Sequence, residues 1–300
     1  MMFETLHGND PLKTYLRKAL DNNQLPHTLL FAGLEGIGKK QFAREIAAHL
    51  LQTTLTRLPN HPDFFLHTPE GKSGLHSIET LRTLIDNVHS APFEAPGKVF
   101  LLDDAERMQP AAANALLKTL EEPNPGVTLI LVTSSPGEIL PTILSRCSRL
   151  NFHPLAEPQI AKVLAQRGHP TTFARLAQGS IALALDLATR PALETPLFEL
   201  LAQRPHYPTL HLALSQLETL IDSEDPIAKQ KNVSRIFSSL LMWLRDQEVR
   251  KQGGTLFFPD APHATTPWPP LDAMHKKVSE AMLAFQRNIK FSVCLEQILI

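Results

Sequence analysis

Two short stretches hold the residues whose types and spacing could do chemistry. "GLEGIGKK", residues 33–40, places Gly33, Gly36 and Gly38 ahead of a lysine pair, Lys39 and Lys40. Gly33 to Lys39 fits G-x-x-x-x-G-K, a spacing that lets backbone N–H groups and the positive end of the next helix close around phosphate oxygens. The pattern asks for Ser or Thr after that lysine, and Lys40 stands there instead. A hydroxyl offers Mg²⁺ a lone pair, whereas an ammonium has three donors and no acceptor. At ~4 Å and an effective dielectric near 20, two unit charges interact by roughly 4 kcal/mol, and a divalent ion doubles that repulsion. Phosphate binding survives such a change more easily than metal-dependent hydrolysis does, unless Lys40 turns to solvent and Mg²⁺ binds through waters. The second stretch, "LLDDAE", ends an apolar run in Asp103 and Asp104, carboxylates able to orient water or a metal beside the loop.

These residues need elements to hold them, and the flanking patterns supply them. "HTLLFAG" reads as a strand entering the glycine loop, and "KKQFAREIAAHLL" as a helix with Phe42, Ala43, Ile46, Ala47 and Leu50 on one face. "KVFLLDD" and "VTLILVTSSP" read as further buried strands. "PAAANALLKTLEEP" is a helix with Pro110 at its start and Pro123 just past its end. Strands alternating with helices predict an α/β layer fold with a parallel sheet. After "NFHPL" the strand pattern stops. Residues 155–190 form short helical stretches broken at "RGHP" and "QGS". From 191 to 300 the chain is again helical, as in "VSRIFSSLLMWLRDQEV" and "AMLAFQRNIKFSVCLEQILI". Before the last of these, "KQGGTLFFPDAPHATTPWPP" carries paired glycines and five prolines and reads as a long loop or a disordered stretch.

The bulk numbers bound the function. Three hundred residues, 43% of them hydrophobic, supply material for two or three domains. A formal net charge of -1 excludes a charge-driven nucleic-acid binder, but not a local basic patch. Cys147 and Cys294 are the only cysteines, too few for a disulfide framework or a four-thiolate zinc site. No signal-peptide pattern opens the sequence, and no apolar run approaches membrane-spanning length. The expected location is the cytoplasm, with no membrane contact.

From "DDAERMQPAAANALLKTLEEPNPGVTLILVTSSPGEILPTILSRCSRLNFHPL" onward the pattern becomes specific. It resembles the clamp-loader branch of the AAA+ ATPases, which in bacteria comprises the delta-prime and gamma/tau subunits of DNA polymerase III. "HGNDPLKTYLRKALDNNQLPHTLLFAGLEGIGKKQFA", "NHPDFF" and "QRNIKFSVCLEQILI" agree with it. The resemblance implies an AAA+ P-loop NTPase-type core over residues 1–153, a small helical lid over 154–190 and an all-α collar over 191–300. It implies gamma/tau-type and delta-type subunits as partners in a hetero-pentamer, which meets the sliding clamp and primer–template DNA. Arg146 matches the Arg of the family's "SRC", which reaches the neighbouring subunit's ATP as an arginine finger. A planar, permanently charged guanidinium suits that work. Thr133 matches a polar strand-end residue that senses the terminal phosphate. Its other reading is a hydroxyl capping the next turn.

Departures from the active pattern collect in one place. Lys40 replaces the metal-binding hydroxyl, and Asp104 replaces a catalytic Glu that is one methylene longer. Ala182 in "GSIALAL" stands where active relatives place an arginine that touches the nucleotide. Positioning errors of about 1 Å can cost about a hundredfold in rate. Together these favour a delta-prime-like subunit that does not turn over ATP, requires no cofactor, and retains at most weak ATP or ADP binding. The alternatives are an active gamma/tau-type ATPase and an AAA+ adaptor outside replication. Relatives carry a four-cysteine zinc module after the loop helix. "LLQTTLTRLPNHPDFF" has no cysteine, so no zinc is expected, and His61, His67 and His76 read as surface residues. Lys72, Arg82 and Lys98 read either as phosphate-contacting residues or as solvated charges.

Overall fold

Continuous apolar runs in three strands that lie side by side in the sheet decide the architecture. The computed structural model describes residues 2–69, 74–122, 124–189, 193–203, 207–223 and 226–299. Two compact units divide the chain, Met1–Thr189 and Arg190–Ile300. In the first, the elements run α1 (Asp10–Asp21), β1 (Thr28–Ala32), α2 (Lys39–Leu50), β2 (Phe64–His67), α3 (Ile78–His89) and β3 (Lys98–Leu102). They continue with α4 (Pro110–Glu121), β4 (Val127–Thr133), α5 (Pro141–Leu144), β5 (Ser148–Asn151), α6 (Glu157–Gln166), α7 (Phe173–Leu176) and α8 (Ile181–Thr189).

The sheet has five strands in the order β2-β3-β4-β1-β5, and every pairing is parallel. Side chains alternate across it, so each central strand feeds two cores. Leu29 and Phe31 join Val99, Leu101, Ile130 and Val132 beneath α1 and α2. Leu30 joins Phe100, Leu102, Leu129 and Leu131 beneath α3 and α4. The stretch expected to be a lid contributes Ile160, Leu164, Ala174, Ala177 and Ala184 to the first of these cores. The three strands read from sequence are present, and β2 and β5 at the two edges complete the sheet. Helix α4 begins at Pro110 as expected and ends at Glu121; Pro123 lies outside the described residues.

Edge strand β2 is anchored by Asp63 of "HPDFF". Its carboxylate is fully buried and accepts hydrogen bonds from the backbone N–H groups of Phe93 (2.6 Å), Glu94 (2.9 Å) and Ala95 (2.9 Å). Burial alone would raise its pKa. The N–H bonds from Ala95, Glu94 and Phe93, with His61 nearby, outweigh that and hold it below its ordinary value.

Three expectations about polar residues are corrected here. His76 is 1% exposed, not a surface residue. His61 is largely buried too; its Nδ1 accepts from Asp63 N (3.1 Å) and its Nε2 faces Glu94 Oε1 (3.2 Å), while His67 is only partly exposed. Lys98, read as a surface cation, is buried, donating to Asn87 O (2.9 Å) and Ser90 Oγ (2.5 Å) while its ammonium lies over the Phe65 ring. Lys98 is therefore unavailable to DNA. Arg82 is exposed, and Lys72 lies outside the described residues. Among the described residues, no group of three or more His, Cys, Asp or Glu side chains is placed to hold a metal ion.

The second unit comprises α9 (Glu194–Gln203), α10 (Tyr207–Ile221), α11 (Pro226–Lys251), α12 (Leu271–Gln286) and α13 (Phe291–Leu299). Trp243, Phe237, Leu240, Phe291 and Cys294 fill its core. A buried ion pair crosses it, with Arg235 Nε 2.7 Å from Glu194 Oε1 and Nη2 2.9 Å from Oε2. The Pro-rich stretch is a loop, as its composition demands, and an ordered one. Buried Asp246 accepts from Phe257 N (3.0 Å) and Phe258 N (2.7 Å), Trp243 Nε1 donates to Pro262 O (3.1 Å), and Thr265 N donates to Ala202 O (2.9 Å). The aromatics in the loop repay the entropy of ordering it: Phe258 meets Phe198, and Trp268 meets Trp243 edge-on. No helix among the described residues is long and apolar enough to cross a membrane.

Candidate functional site

Parallel pairing brings the chemically suggestive residues to one edge of the sheet. Ala32 of β1 is in register with Thr133 of β4, and Leu102 of β3 with Leu131. The segments leaving β1, β3 and β4 therefore converge beyond the strands' carboxyl ends, where open α/β sheets bind ligands. Gly33 N donates to Thr133 O (3.3 Å), joining the loop to the end of β4. Gly38, at φ 98° with open space where a side chain would be, caps α2. Gly36 is needed for close approach: a Cβ there would lie 2.2 Å from Ser180 Oγ and 2.7 Å from Ala182 Cβ. The segment expected to be a lid packs directly on the glycine loop, and Ala182 N donates to Gly36 O (3.1 Å).

The two lysines do different things. Lys39 is buried, and its Nζ donates to Gly33 O (2.7 Å) and Leu34 O (2.6 Å), turned back onto the loop that carries it. Burial lowers its pKa, against the opposing pull of Glu106, Asp103, Glu35 and Asp104. Lys40 Nζ lies 2.8 Å from Asp103 Oδ2. An ammonium thus stands between the start of α2 and the acid ending β3, where a metal would have to bridge them. Mg²⁺ does not fit the residues present: the oxygen ligand is missing, and a fixed positive charge holds the acid that remains.

Asp104 follows in a left-handed conformation, φ 49°. Its pKa is raised, by burial first and then by Asp103 and Glu106. The sequence reading missed two residues here. Glu106 Oε1 accepts from Ser134 N (3.0 Å) and Ser134 Oγ (2.5 Å). Burial would raise its pKa, but those bonds and the Thr133 hydroxyl keep it low, so it stays anionic near Lys39. His76 Nε2 meets Asp103 O at 2.7 Å, which fixes its tautomer as an Nε2 donor; burial lowers its pKa. "DDAE" hinted at Glu106. Nothing local pointed to His76, which reaches the site through an isolated bridge to Met108. Thr133 is fully buried, and its hydroxyl accepts from Ser135 N (3.1 Å), the turn-capping role.

Arg146 is not in this pocket. It follows α5 on the surface, with Nε 2.9 Å and Nη2 2.5 Å from Glu121 Oε1, and Nη1 donating to Thr142 O (2.8 Å) and Ser145 Oγ (3.2 Å). Beside it, burial pushes the Cys147 thiol up to about 12, leaving it an unreactive filler.

Sheet order, glycine loop, acidic strand end and helical lid together define a P-loop ATPase fold of the AAA+ type. Residues 8–156 match the family described as "DNA polymerase III, delta subunit". The chain belongs to the DNA polymerase III clamp-loader family. It is 33% identical over 206 residues to the tau/gamma subunit of Haemophilus influenzae, covering 62% of this chain and 30% of the relative. It is 37% identical over 138 residues to the delta-prime subunit of Pseudomonas aeruginosa, covering 41% and 42%. The chain thus spans less than half the length of either curated relative, and the relatives include both subunit types. A gamma subunit-related protein from Thermotoga maritima superimposes with a TM-score of 0.53 at 18% identity, covering 95% of this chain and 97% of that one, a likeness of fold.

Proposed function

We propose that this chain is a delta-prime-like clamp-loader subunit that does not hydrolyse ATP and lends Arg146 to a nucleotide bound on a neighbouring gamma/tau-type subunit. The observation that carries the reading is the Lys40–Asp103 ion pair at 2.8 Å, which puts a fixed cation where a hydrolytic site needs a metal. Asp104, one methylene shorter than a glutamate, and the lid backbone seated on Gly36 support it. The partners are gamma/tau-type and delta-type subunits in a hetero-pentamer, with the sliding clamp and primer–template DNA engaged through that assembly in the cytoplasm. On this reading no zinc or other cofactor is required, and any ATP or ADP held by the pocket is held weakly.

Arg146 acts by charge and geometry. A guanidinium offered to the developing charge on a transferring phosphoryl group stabilises it without moving a proton. The test is reconstitution with gamma/tau-type and delta-type subunits, reading DNA-stimulated phosphate release with this chain present, omitted, or carrying Arg146→Ala. Omission and the variant should both depress turnover, and the isolated chain should release no phosphate with or without Mg²⁺. An intact Gly33–Lys39 loop and the tau/gamma relative favour a second reading, an active ATPase subunit. Sustained turnover by the chain alone establishes that one instead.

A further inference from the structure

We infer that the Lys40 ammonium is this chain's built-in replacement for the divalent cation, so that the pocket is preset in its cation-bound arrangement and gains nothing from Mg²⁺. The inference rests on the non-hydrolysing reading and specifies how that site is regulated: by no metal at all. A divalent ion in such a loop has one structural task apart from chemistry, to tie the first turn of the loop helix to the acid ending the neighbouring strand. Here the tie is covalent on one side. Lys40 is the second residue of α2, and its Nζ reaches Asp103 Oδ2 at 2.8 Å across the gap.

Other groups that a ligand would satisfy are already answered within the chain. Lys39 donates to Gly33 O and Leu34 O, and the lid's Ala182 N donates to Gly36 O. The Asp103 backbone is pinned as well, its carbonyl meeting His76 Nε2 at 2.7 Å. An incoming cation would have to displace the Lys40 charge from Asp103 and would find no oxygen at position 40 to bind.

The test uses the full chain with Mn²⁺ as a paramagnetic stand-in for Mg²⁺, in the presence of ADP. Retained Mn²⁺ is read by electron paramagnetic resonance, and thermal midpoints are recorded in ADP with and without Mg²⁺. The unaltered chain should retain no Mn²⁺ in the pocket and show the same midpoint in both conditions. Lys40→Ser restores a ligand oxygen and removes the charge; it should bind Mn²⁺ at least about tenfold more tightly and be stabilised only when cation and ADP are both present. Lys40→Met removes the charge without supplying an oxygen and should gain far less. Mn²⁺ retention by the unaltered chain that disappears in Asp103→Asn overturns the inference, and so does equal behaviour of the Ser and Met variants. Should Lys40→Ser not fold, the comparison of the unaltered chain with Asp103→Asn decides alone. Cation retention without phosphate release sinks this inference and leaves the proposed function standing; phosphate release by the unaltered chain sinks the proposed function itself.

Discussion

The loop pocket and the Arg146 edge are each built around a cation–carboxylate pair of similar length, 2.8 Å for Lys40–Asp103 and 2.5 Å for Arg146–Glu121. What surrounds the two pairs differs. Asp103 is 18% exposed and lies near Lys39, Asp104 and Glu106, beside a loop to which Ala182 N is bonded at Gly36. Glu121 is 48% exposed on the last turn of α4. A charge answered within a cluster of carboxylates is harder to exchange, because separating the pair leaves a largely buried carboxylate without its partner. A charge answered at the surface can be exchanged, because such pairs contribute only about 0–1 kcal/mol and a phosphate competes easily. The same chemistry is structural in one place and transferable in the other.

Arg146→Ala tests that contrast with the largest expected effect. In the reconstituted assembly, turnover at the neighbouring site should fall by about 10³-fold, the scale of losing an arginine finger, while this chain's own stability changes by less than about 1 kcal/mol. Steady-state phosphate release and chemical denaturation read the two quantities separately. Turnover within a factor of two of the unaltered assembly would remove Arg146 from its assigned role.

Asp63→Asn is the complementary change, large in stability and small in chemistry. It weakens the charge-assisted bonds that a buried carboxylate accepts from three backbone N–H groups and should cost about 3 kcal/mol, while turnover per folded molecule stays the same. The pH dependence carries a definite sign. The folded carboxyl titrates below its ordinary value of 3.8, so its stabilising contribution is complete above that pH and is lost as pH falls through the depressed folded value. Urea midpoints of the unaltered chain should therefore drop on acidification below about pH 4 more steeply than those of Asp63→Asn. Parallel acid curves would show that the three N–H bonds do not hold the charge.

Asp103→Asn comes next in size. Losing the partner of a partly exposed lysine should cost about 1 kcal/mol and leave the assembly's turnover unchanged. A loss of turnover comparable to that of Arg146→Ala would mean that the pocket is working, and would collapse the contrast between the two regions.

How much of this was legible beforehand follows the range of the interactions. "HTLLFAG", "KVFLLDD" and "VTLILVTSSP" declare their strands because burial on both faces demands continuous apolar runs, and Pro110 marks the first turn of α4 by local geometry alone. The glycine loop and the acidic strand end could be placed together because parallel strands align their carboxyl ends. What stayed hidden were partnerships between distant residues. Asp63 serves the loop at 93–95, His76 reaches Asp103, and Lys98 folds inward onto Asn87 and Ser90. Each is a charged or polar residue whose type suggests the surface, and only the tertiary fold supplies the partner that permits burial. The Pro-rich loop taught the same lesson: its prolines exclude a helix, but its order comes from Trp243 and Asp246, many residues away.

Glu121→Gln asks the finest question, whether the surface pair at Arg146 is only a resting place. The amide keeps an acceptor for Nε and loses the charge, so the change in stability should stay within about 0.5 kcal/mol. If the guanidinium must leave Glu121 to serve a neighbour, neutralising the carboxylate makes that departure easier, and the assembly's turnover should hold steady or rise by no more than about fivefold, the factor equivalent to 1 kcal/mol. A fall in turnover instead would mean that Glu121 holds Arg146 in its working orientation. The edge would then be preorganised by an ion pair just as the pocket is, and the difference between the two regions would lie in exposure alone.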